Sequence, residues 1–212
     1  VRAHYSTWDG VAMAYEGFFY WKNWENYIGV EDERGYSRYM NTGTILLKTK
    51  GHDHTRVLRQ FRAIGVEHEV WDNEKLRERM PIFTTESFPP PKLPEDPHFF
   101  DQPSEDIDGA IFTPGSGYVT EPQLASHNLM RAAEAHGGKF LFNRQIIEVR
   151  RDDVRVHGIT LQDGAKIDSS IVINVAGPHS FIINRMAGVE DSMNIKTRAL
   201  RHEVHHVNSP DN

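Results

Sequence analysis

The apolar residues between positions 11 and 28 recur at spacings of three and four, which is the period of an amphipathic helix. This stripe consists of Val11, Met13, Ala14, Phe18, Trp21, Trp24 and Tyr27 or Ile28. Thr7 or Asp9 can cap the start of the helix, and Gly29 is suited to end it. Because its aromatic residues have helical spacing, we interpret them as core residues and not as a stacking surface for a ligand.

The same period and the usual end signals predict three further helices, over 52–64, 73–80 and 120–136. Asp72 is placed to cap the second of them, and Pro81 stops it. Thr120 and Gln123 have the spacing of a capping box at the start of the third, which Gly137 ends.

Short runs rich in β-branched and aromatic residues predict strands between these helices. They cover 39–48, 66–70, 110–112, 139–142, 146–151, 154–161 and 165–175. The end of the last run, SSIVINVAG, is almost unbroken in its apolar character, as a buried parallel strand would be. It leads through Ala176, Gly177 and Pro178 into a helix predicted over 180–186, where small residues would let the backbone approach a ligand.

The stretch between 83 and 108 has a different composition, with six prolines among acidic residues and the pair Phe99 and Phe100. Proline removes backbone donors, so we expect an irregular surface excursion anchored by the two phenylalanines. A polyproline ligand for a partner domain is the alternative.

Composition narrows the class of protein further. The 212 residues include no Cys, which excludes disulfides, thiolate metal sites and cysteine nucleophiles and is compatible with a reducing compartment, so we expect a cytoplasmic location. The formal charge of -6 argues against nucleic-acid binding, and no window reaches the ~18 apolar residues of a membrane span. We therefore expect a small-molecule partner, with an oligomeric state that the sequence leaves open.

An ordered set of segments resembles the FAD-dependent oxidoreductases of the D-amino-acid oxidase superfamily, in the sarcosine oxidase, dimethylglycine dehydrogenase and glycine oxidase branch. The segments are VRAHYS, YMNTGTILL, VWDNEKLRERMP, DGAIFTPGSGYVTEPQLASHNLMRAAEAHGGKFL and VINVAGPHS. The resemblance implies an α/β fold with an α+β substrate domain: a partial FAD-binding fold of the D-amino-acid oxidase type, with a mixed sheet, a β-meander and flanking helices.

The glycine-rich GxGxxG motif that grips FAD in this family does not occur in the sequence. We therefore expect an internal fragment that does not retain FAD and is inactive by itself. The resemblance divides it into parts of a flavin domain and parts of a substrate domain. The flavin-domain parts are 1–35 and 117–192, and the substrate-domain parts are 36–116 and 193–212.

Site residues follow from the resemblance. Arg2 matches an arginine that binds the substrate carboxylate, a role that suits a bidentate guanidinium. A surface arginine, or one bound to the flavin phosphate, is the alternative. His4 and Tyr5 lie beside Arg2 in the sequence and are candidates for orienting the amine. The resemblance implies that Ile146 and the loop Ala176, Gly177 and Pro178 contact FAD. It also implies oxidation of a small amine or N-methyl amino acid by hydride transfer to the flavin.

Two other functions compete with this reading. The first is a non-catalytic structural or interaction module. The second is a zinc peptidase, because residues 202–206 read H-E-V-H-H. However, the nearby Pro210 and the β-branched neighbours favour a strand over a helix. On a strand, His202 and His206 would lie about 13 Å apart, too far to bind one zinc ion. We interpret His52, Asp53 and His54 as solvated helix-start residues and expect no metal site.

Overall fold

The computed structural model describes residues 1–50, 52–88, 90, 92–103 and 105–201. The chain divides into a first unit, Val1–Lys139, and a second unit, Phe140–Asn212. None of the helices in these described ranges has the length and apolar character that crossing a bilayer requires.

Six α-helices and eight strands occur in the described residues. The helices are α1 (Trp8–Lys22), α2 (Trp24–Ile28), α3 (Thr55–Ile64), α4 (Asn73–Arg79), α5 (Pro122–Ala135) and α6 (Ser180–Met186). The strands are β1 (Tyr39–Met40), β2 (Thr44–Leu47), β3 (Glu69–Trp71), β4 (Ala110–Thr113), β5 (Tyr118–Val119), β6 (Ile146–Arg151), β7 (Val156–Leu161) and β8 (Lys166–Asp168).

The first unit is built around a three-stranded antiparallel sheet with the order β2-β4-β3. Successive side chains of the central strand, β4, point to opposite faces of the sheet, as in any β-strand. Ile111 packs with Val57 and Phe61 of α3 on one face. Ala110 and Phe112 pack with residues of α4 and β3 on the other, where the Phe112 and Trp71 rings stack at 4.7 Å.

The single helix predicted up to Gly29 is wrong, since α1 ends at Lys22 and α2 begins at Trp24. The predicted ends are confirmed: the Thr7 hydroxyl caps α1, and Gly29 ends α2 with a φ of 66°. Asn23 interrupts the helix with a ψ of 39°, and its side chain accepts a hydrogen bond from the Asn26 amide at 2.6 Å.

The capping box predicted at Thr120 is also wrong. The N-cap of α5 is Glu121, and the Thr120 hydroxyl instead accepts a hydrogen bond from the Arg38 amide at 3.1 Å. The backbone just before β1 thus binds the hydroxyl that the local pattern predicted as a helix cap. The end of α5 at Gly137, which has a φ of 84°, is confirmed.

The Pro-rich stretch from 83 to 108 has no helix or strand in its described part, as expected, apart from one bridge between Glu86 and Asp106. Its two phenylalanines do not anchor it, since Phe100 is 84% exposed. The anchors are Thr85 and Ile107, which are buried.

The second unit contains the predicted meander. Strands β6, β7 and β8 form an antiparallel sheet in chain order, with the turn at Asp163 and Gly164. The strand predicted over 139–142 does not form.

The buried parallel strand predicted up to Val175 is wrong. Strand β8 ends at Asp168, and Ile171, Ile173 and Val175 are 71%, 79% and 86% exposed. A strand needs a hydrogen-bonding neighbour, and no strand in the described ranges pairs with this segment. The helix predicted after it is confirmed as α6.

Candidate functional site

A cavity of about 190 Å³ in the first unit includes Arg2 in its wall. The next residue, Ala3, is buried in the core beside Val11, Phe61 and Ile111, so the backbone next to Arg2 is anchored. The main chain of Val1 also accepts a hydrogen bond from the amide of Gly117 at 3.0 Å. These contacts hold the start of the segment against the sheet.

The turn after β4 forms another wall of the cavity. The Asn41 amide donates to the carbonyl oxygens of Pro114 and Ser116, and the Tyr39 hydroxyl donates to that of Gly115. A Cβ at Gly117 would lie 2.0 Å from the carbonyl oxygen of Met40, so only glycine fits there. The predicted glycine turn is therefore needed for close packing against β1.

Helix α1 brings two further features to the cavity. Its aromatic ring Phe18 lines the wall, and the Lys22 ammonium lies 4.3 Å from the centroid of that ring. Arg2 and Lys22 thus place two cations on this cavity, together with the carboxylate of Glu67. The sequence analysis did not identify Lys22, because its position beside the cavity depends on how α1 packs against the rest of the first unit.

His4 and Tyr5 do not line the cavity, unlike Arg2. Tyr5 is exposed, and its ring lies 5.8 Å from the guanidinium carbon of Arg2. Burial lowers the pKa of His4, and the charges of Arg2 and His54 lower it further. His4 is therefore neutral near pH 7, which is the form that can accept a proton.

The loop predicted to contact FAD lies in the second unit. Gly177 has a φ of 60°, which favours glycine, and the space beyond its Cα is open. Gly177 and Pro178 line an open groove of about 710 Å³ together with Lys196, Thr197, Arg198 and Leu200. The groove combines small residues with two cations, which suits an anionic ligand.

Asn174 holds this loop in place. Its amide donates to the Ser180 carbonyl and to Oδ1 of Asn184, both at 2.8 Å, while its own Oδ1 accepts from the Ala176 amide at 3.1 Å. A polar Asn inside the apolar run V-I-N-V is the feature of the sequence that could have predicted this structural role of Asn174. Ile146, the other predicted FAD contact, begins β6 and does not line the groove.

Two sequence motifs were weighed for metal binding, the 52–54 segment and H-E-V-H-H. Asp53 is exposed, and its Oδ1 accepts a hydrogen bond from the Thr55 amide at 2.8 Å, so it acts as a helix-start residue as predicted. The H-E-V-H-H segment lies outside the described residues.

The comparisons with known proteins concern nearly the whole chain. The sequence profile of a family described as FAD dependent oxidoreductase matches residues 2–212. No curated protein matches the chain.

Three solved structures have a similar fold. L-proline dehydrogenase from P. horikoshii has a TM-score of 0.63 at 18% identity over 90% of this chain and 44% of its own. Glycine oxidase from Geobacillus kaustophilus has a TM-score of 0.55 at 17% identity, covering 84% of this chain and 42% of its own. Glycine oxidase from Bacillus cereus ATCC 14579 has a TM-score of 0.52 at 16% identity, covering 87% of this chain and 46% of its own.

These likenesses confirm the predicted fold class. At such low identity they concern the fold alone, and the chain spans less than half the length of each of these structures.

Proposed function

Because the chain belongs to the family of FAD-dependent oxidoreductases, we propose that the protein oxidises a small amine or N-methyl amino acid, of the sarcosine, dimethylglycine or glycine type. The position of Arg2 on the wall of the cavity in the first unit supports this proposal more than any other observation. A guanidinium can hold a carboxylate through two parallel hydrogen bonds, which fixes both its position and its orientation.

The residues of the second unit fit the cofactor that the family implies. The open space beyond Gly177 lets a ligand contact the backbone, and Lys196 and Arg198 supply positive charge for phosphate groups. When bound, FAD supplies the hydride acceptor for the reaction. Ala176, Gly177 and Pro178 would hold the dinucleotide, and Ile146 remains a proposed contact.

The chain's own residues bind and orient the substrate in this scheme. Arg2 binds the carboxylate, and the substrate nitrogen must be neutral so that its lone pair can assist departure of hydride from the adjacent carbon. The resulting imine takes up water and is hydrolysed to a carbonyl compound and an amine. His4, which is neutral near pH 7, is the proposed acceptor for the proton of the incoming ammonium, and Tyr5 is proposed to orient the amine.

The four-part division into flavin-domain and substrate-domain segments, 1–35, 36–116, 117–192 and 193–212, is part of the proposal. The sequence contains no GxGxxG, so we also propose that the 212-residue polypeptide alone retains little FAD and has no activity. An equimolar flavin spectrum of the purified 212-residue polypeptide would contradict this. We propose a cytoplasmic location on the absence of Cys.

Steady-state oxidation by the full-length protein, loaded with FAD, tests the role of Arg2. We expect Arg2→Met to raise KM for sarcosine and dimethylglycine about 10- to 100-fold, which corresponds to loss of a charge-assisted hydrogen-bonded pair. Arg2→Lys should recover only part of the affinity, because lysine lacks the planar pair of donors. A secondary amine without a carboxylate should be oxidised equally by all three proteins.

Arg62→Met, which changes an exposed arginine of α3, is the matched control. An unchanged KM for sarcosine in Arg2→Met would overturn the carboxylate role. Absence of flavin-dependent turnover of every amine tried would instead favour the non-catalytic module.

A further inference from the structure

A polar cluster in the first unit, away from the cavity of Arg2, joins the segment after α2 to helix α5. We call it the Asp32 cluster, and it consists of Asp32, Glu33, His127, Asn128 and Arg131. The Asp32 and Asn128 side chains are fully buried, His127 is nearly so, and Glu33 is 64% exposed. One ligand atom from each of Asp32, Glu33 and His127 falls within 4.8 Å of the others.

Three hydrogen bonds engage the Asp32 carboxylate. Its Oδ1 accepts from the Arg34 amide at 2.9 Å, and its Oδ2 accepts from Asn128 at 2.6 Å and from Nδ1 of His127 at 2.8 Å. Asp32 is therefore a carboxylate that orients the neighbouring ring.

This orientation fixes the tautomer of His127. Because Nδ1 donates to a carboxylate, the proton of the neutral ring is on Nδ1 and the lone pair is on Nε2. Histidine ligands of metal ions commonly have this arrangement, in which a carboxylate orients the ring and makes the other nitrogen more basic.

Nε2 of His127 faces the Glu33 carboxylate at 3.9 Å. A cation bonded to one nitrogen and one oxygen at about 2.0–2.1 Å separates them by roughly 3.3 Å in tetrahedral geometry and about 4.1 Å when they lie opposite each other. The observed separation is within this range. The exposed Glu33 side chain is also free to adjust.

The charged groups around the Asp32 cluster carry a net negative charge that a divalent cation would balance. Asp32, Glu33 and Glu134 contribute three negative charges, and Arg131 contributes one positive charge. Arg131 is held mainly by Glu134, with Nη1 to Oε2 at 2.6 Å, whereas its Nε lies 3.5 Å from Glu33. Arg131 therefore competes only weakly for Glu33.

We propose that His127 Nε2 and the Glu33 carboxylate bind a divalent transition-metal cation of the zinc class, with Asp32 as the positioning residue and water completing the coordination. An imidazole ligand favours zinc, cobalt or nickel over magnesium or calcium. The bound cation would join the 30–37 segment to α5 and stabilise the first unit, without taking part in amine oxidation.

Calorimetric titration of the full-length, chelator-treated protein with Zn²⁺ tests this, with Co²⁺ added in parallel for its visible absorption. We expect one binding event that Glu33→Gln and His127→Gln each weaken at least about 10-fold, and Asp32→Asn weakens about 10- to 100-fold. Arg131→Gln should tighten binding only slightly, because Arg131 competes weakly for Glu33.

Two matched variants separate this site from other histidines of the chain, which has 12. Glu31→Gln changes an exposed carboxylate beside the cluster, and a His202→Gln/His206→Gln pair removes the other sequence motif with zinc-ligand spacing. Both should keep the binding event. Because Glu33 is exposed, Glu33→Gln is expected to fold, and affinity unchanged in Glu33→Gln and His127→Gln would overturn the proposal.

Discussion

Asn128 is the residue through which three separate parts of the first unit are held together. Its Oδ1 accepts hydrogen bonds from Trp24 Nε1 at 3.0 Å and from the Ser37 amide at 3.2 Å. Its Nδ2 donates to Asp32 at 2.6 Å and to the Gly35 carbonyl at 2.8 Å. The side chain is completely buried, so water cannot replace these partners.

Asn128→Leu keeps the approximate shape of the side chain and removes all four hydrogen bonds. The Trp24 indole and the Ser37 amide, both buried, then lack an acceptor, whereas Asp32 keeps His127 and the Arg34 amide. At about 1–3 kcal/mol for each buried group left unpaired, two donors give a loss of about 2–6 kcal/mol. This is a large part of the ~5–15 kcal/mol that stabilises an ordinary domain.

Urea unfolding followed by tryptophan fluorescence measures this loss. All four tryptophans of the chain lie in the first unit, so the signal reports on that unit. Ser126→Ala, an exposed change on the same helix, should alter the free energy of unfolding by less than about 0.5 kcal/mol. A loss below about 1 kcal/mol in Asn128→Leu would refute the assignment of these hydrogen bonds.

Asn128→Asp separates the acceptor role of the side chain from its donor role. It keeps an oxygen for Trp24 and Ser37 but places a second carboxylate where Nδ2 now lies, 2.6 Å from Asp32 Oδ2. Repulsion raises the pKa of one carboxyl group in the folded state, so the folded state binds more protons than the unfolded state. The variant should therefore regain stability as pH falls. In the wild type, hydrogen bonds outweigh burial and hold the pKa of Asp32 below its usual value, so the contribution of Asp32 is lost as pH falls.

Two more predictions concern the backbone of the second unit and the histidines of the first. Gly158→Ala should destabilise the second unit by more than about 3 kcal/mol, because φ is 134° and the new Cβ would lie 2.0 Å from a carbonyl oxygen of β8. Gly164→Ala is the control: no atom lies near its new Cβ, so only the left-handed backbone strain of about 1–2 kcal/mol should be lost from the free energy of unfolding. Amide exchange in β7 measures both, and equal losses would contradict the predicted contact. Burial lowers the pKa of His4 and His54, and the nearby charges of Arg2 and His52 lower it further. As pH falls below about 6.5, these histidines therefore take up protons first in the unfolded state, and the free energy of unfolding decreases. His4→Gln and His54→Gln should each reduce that pH dependence in urea titrations, and an unaltered slope would show that the lowered pKa values are absent.

The sequence by itself determined the elements whose signals are local. Asp72 caps α4 and Gly29 ends α2 as predicted, because a cap involves only the first or last turn of a helix. The meander of β6, β7 and β8 was predictable for the same reason, since its second turn requires only Asp163 and Gly164. The family was likewise recognisable from the order of short segments.

Only the tertiary structure decided how distant groups share their hydrogen bonds. Thr120 has the local pattern of a cap, yet its hydroxyl is used by Arg38, 82 residues away in sequence. The exposed Ile171 and Ile173 show the same limit, since an apolar run becomes a strand only when another strand offers its backbone.

The candidate sites divide in the same way. Arg2 and the loop at Gly177 followed from the family resemblance, and each lies on a cavity or groove. Lys22 and the link from Asp32 to Asn128, 96 residues apart, had no sequence signal. A lysine on a helix or an Asp in a loop has no fixed partner until helices pack, and packing depends on the burial of apolar faces far apart in the chain.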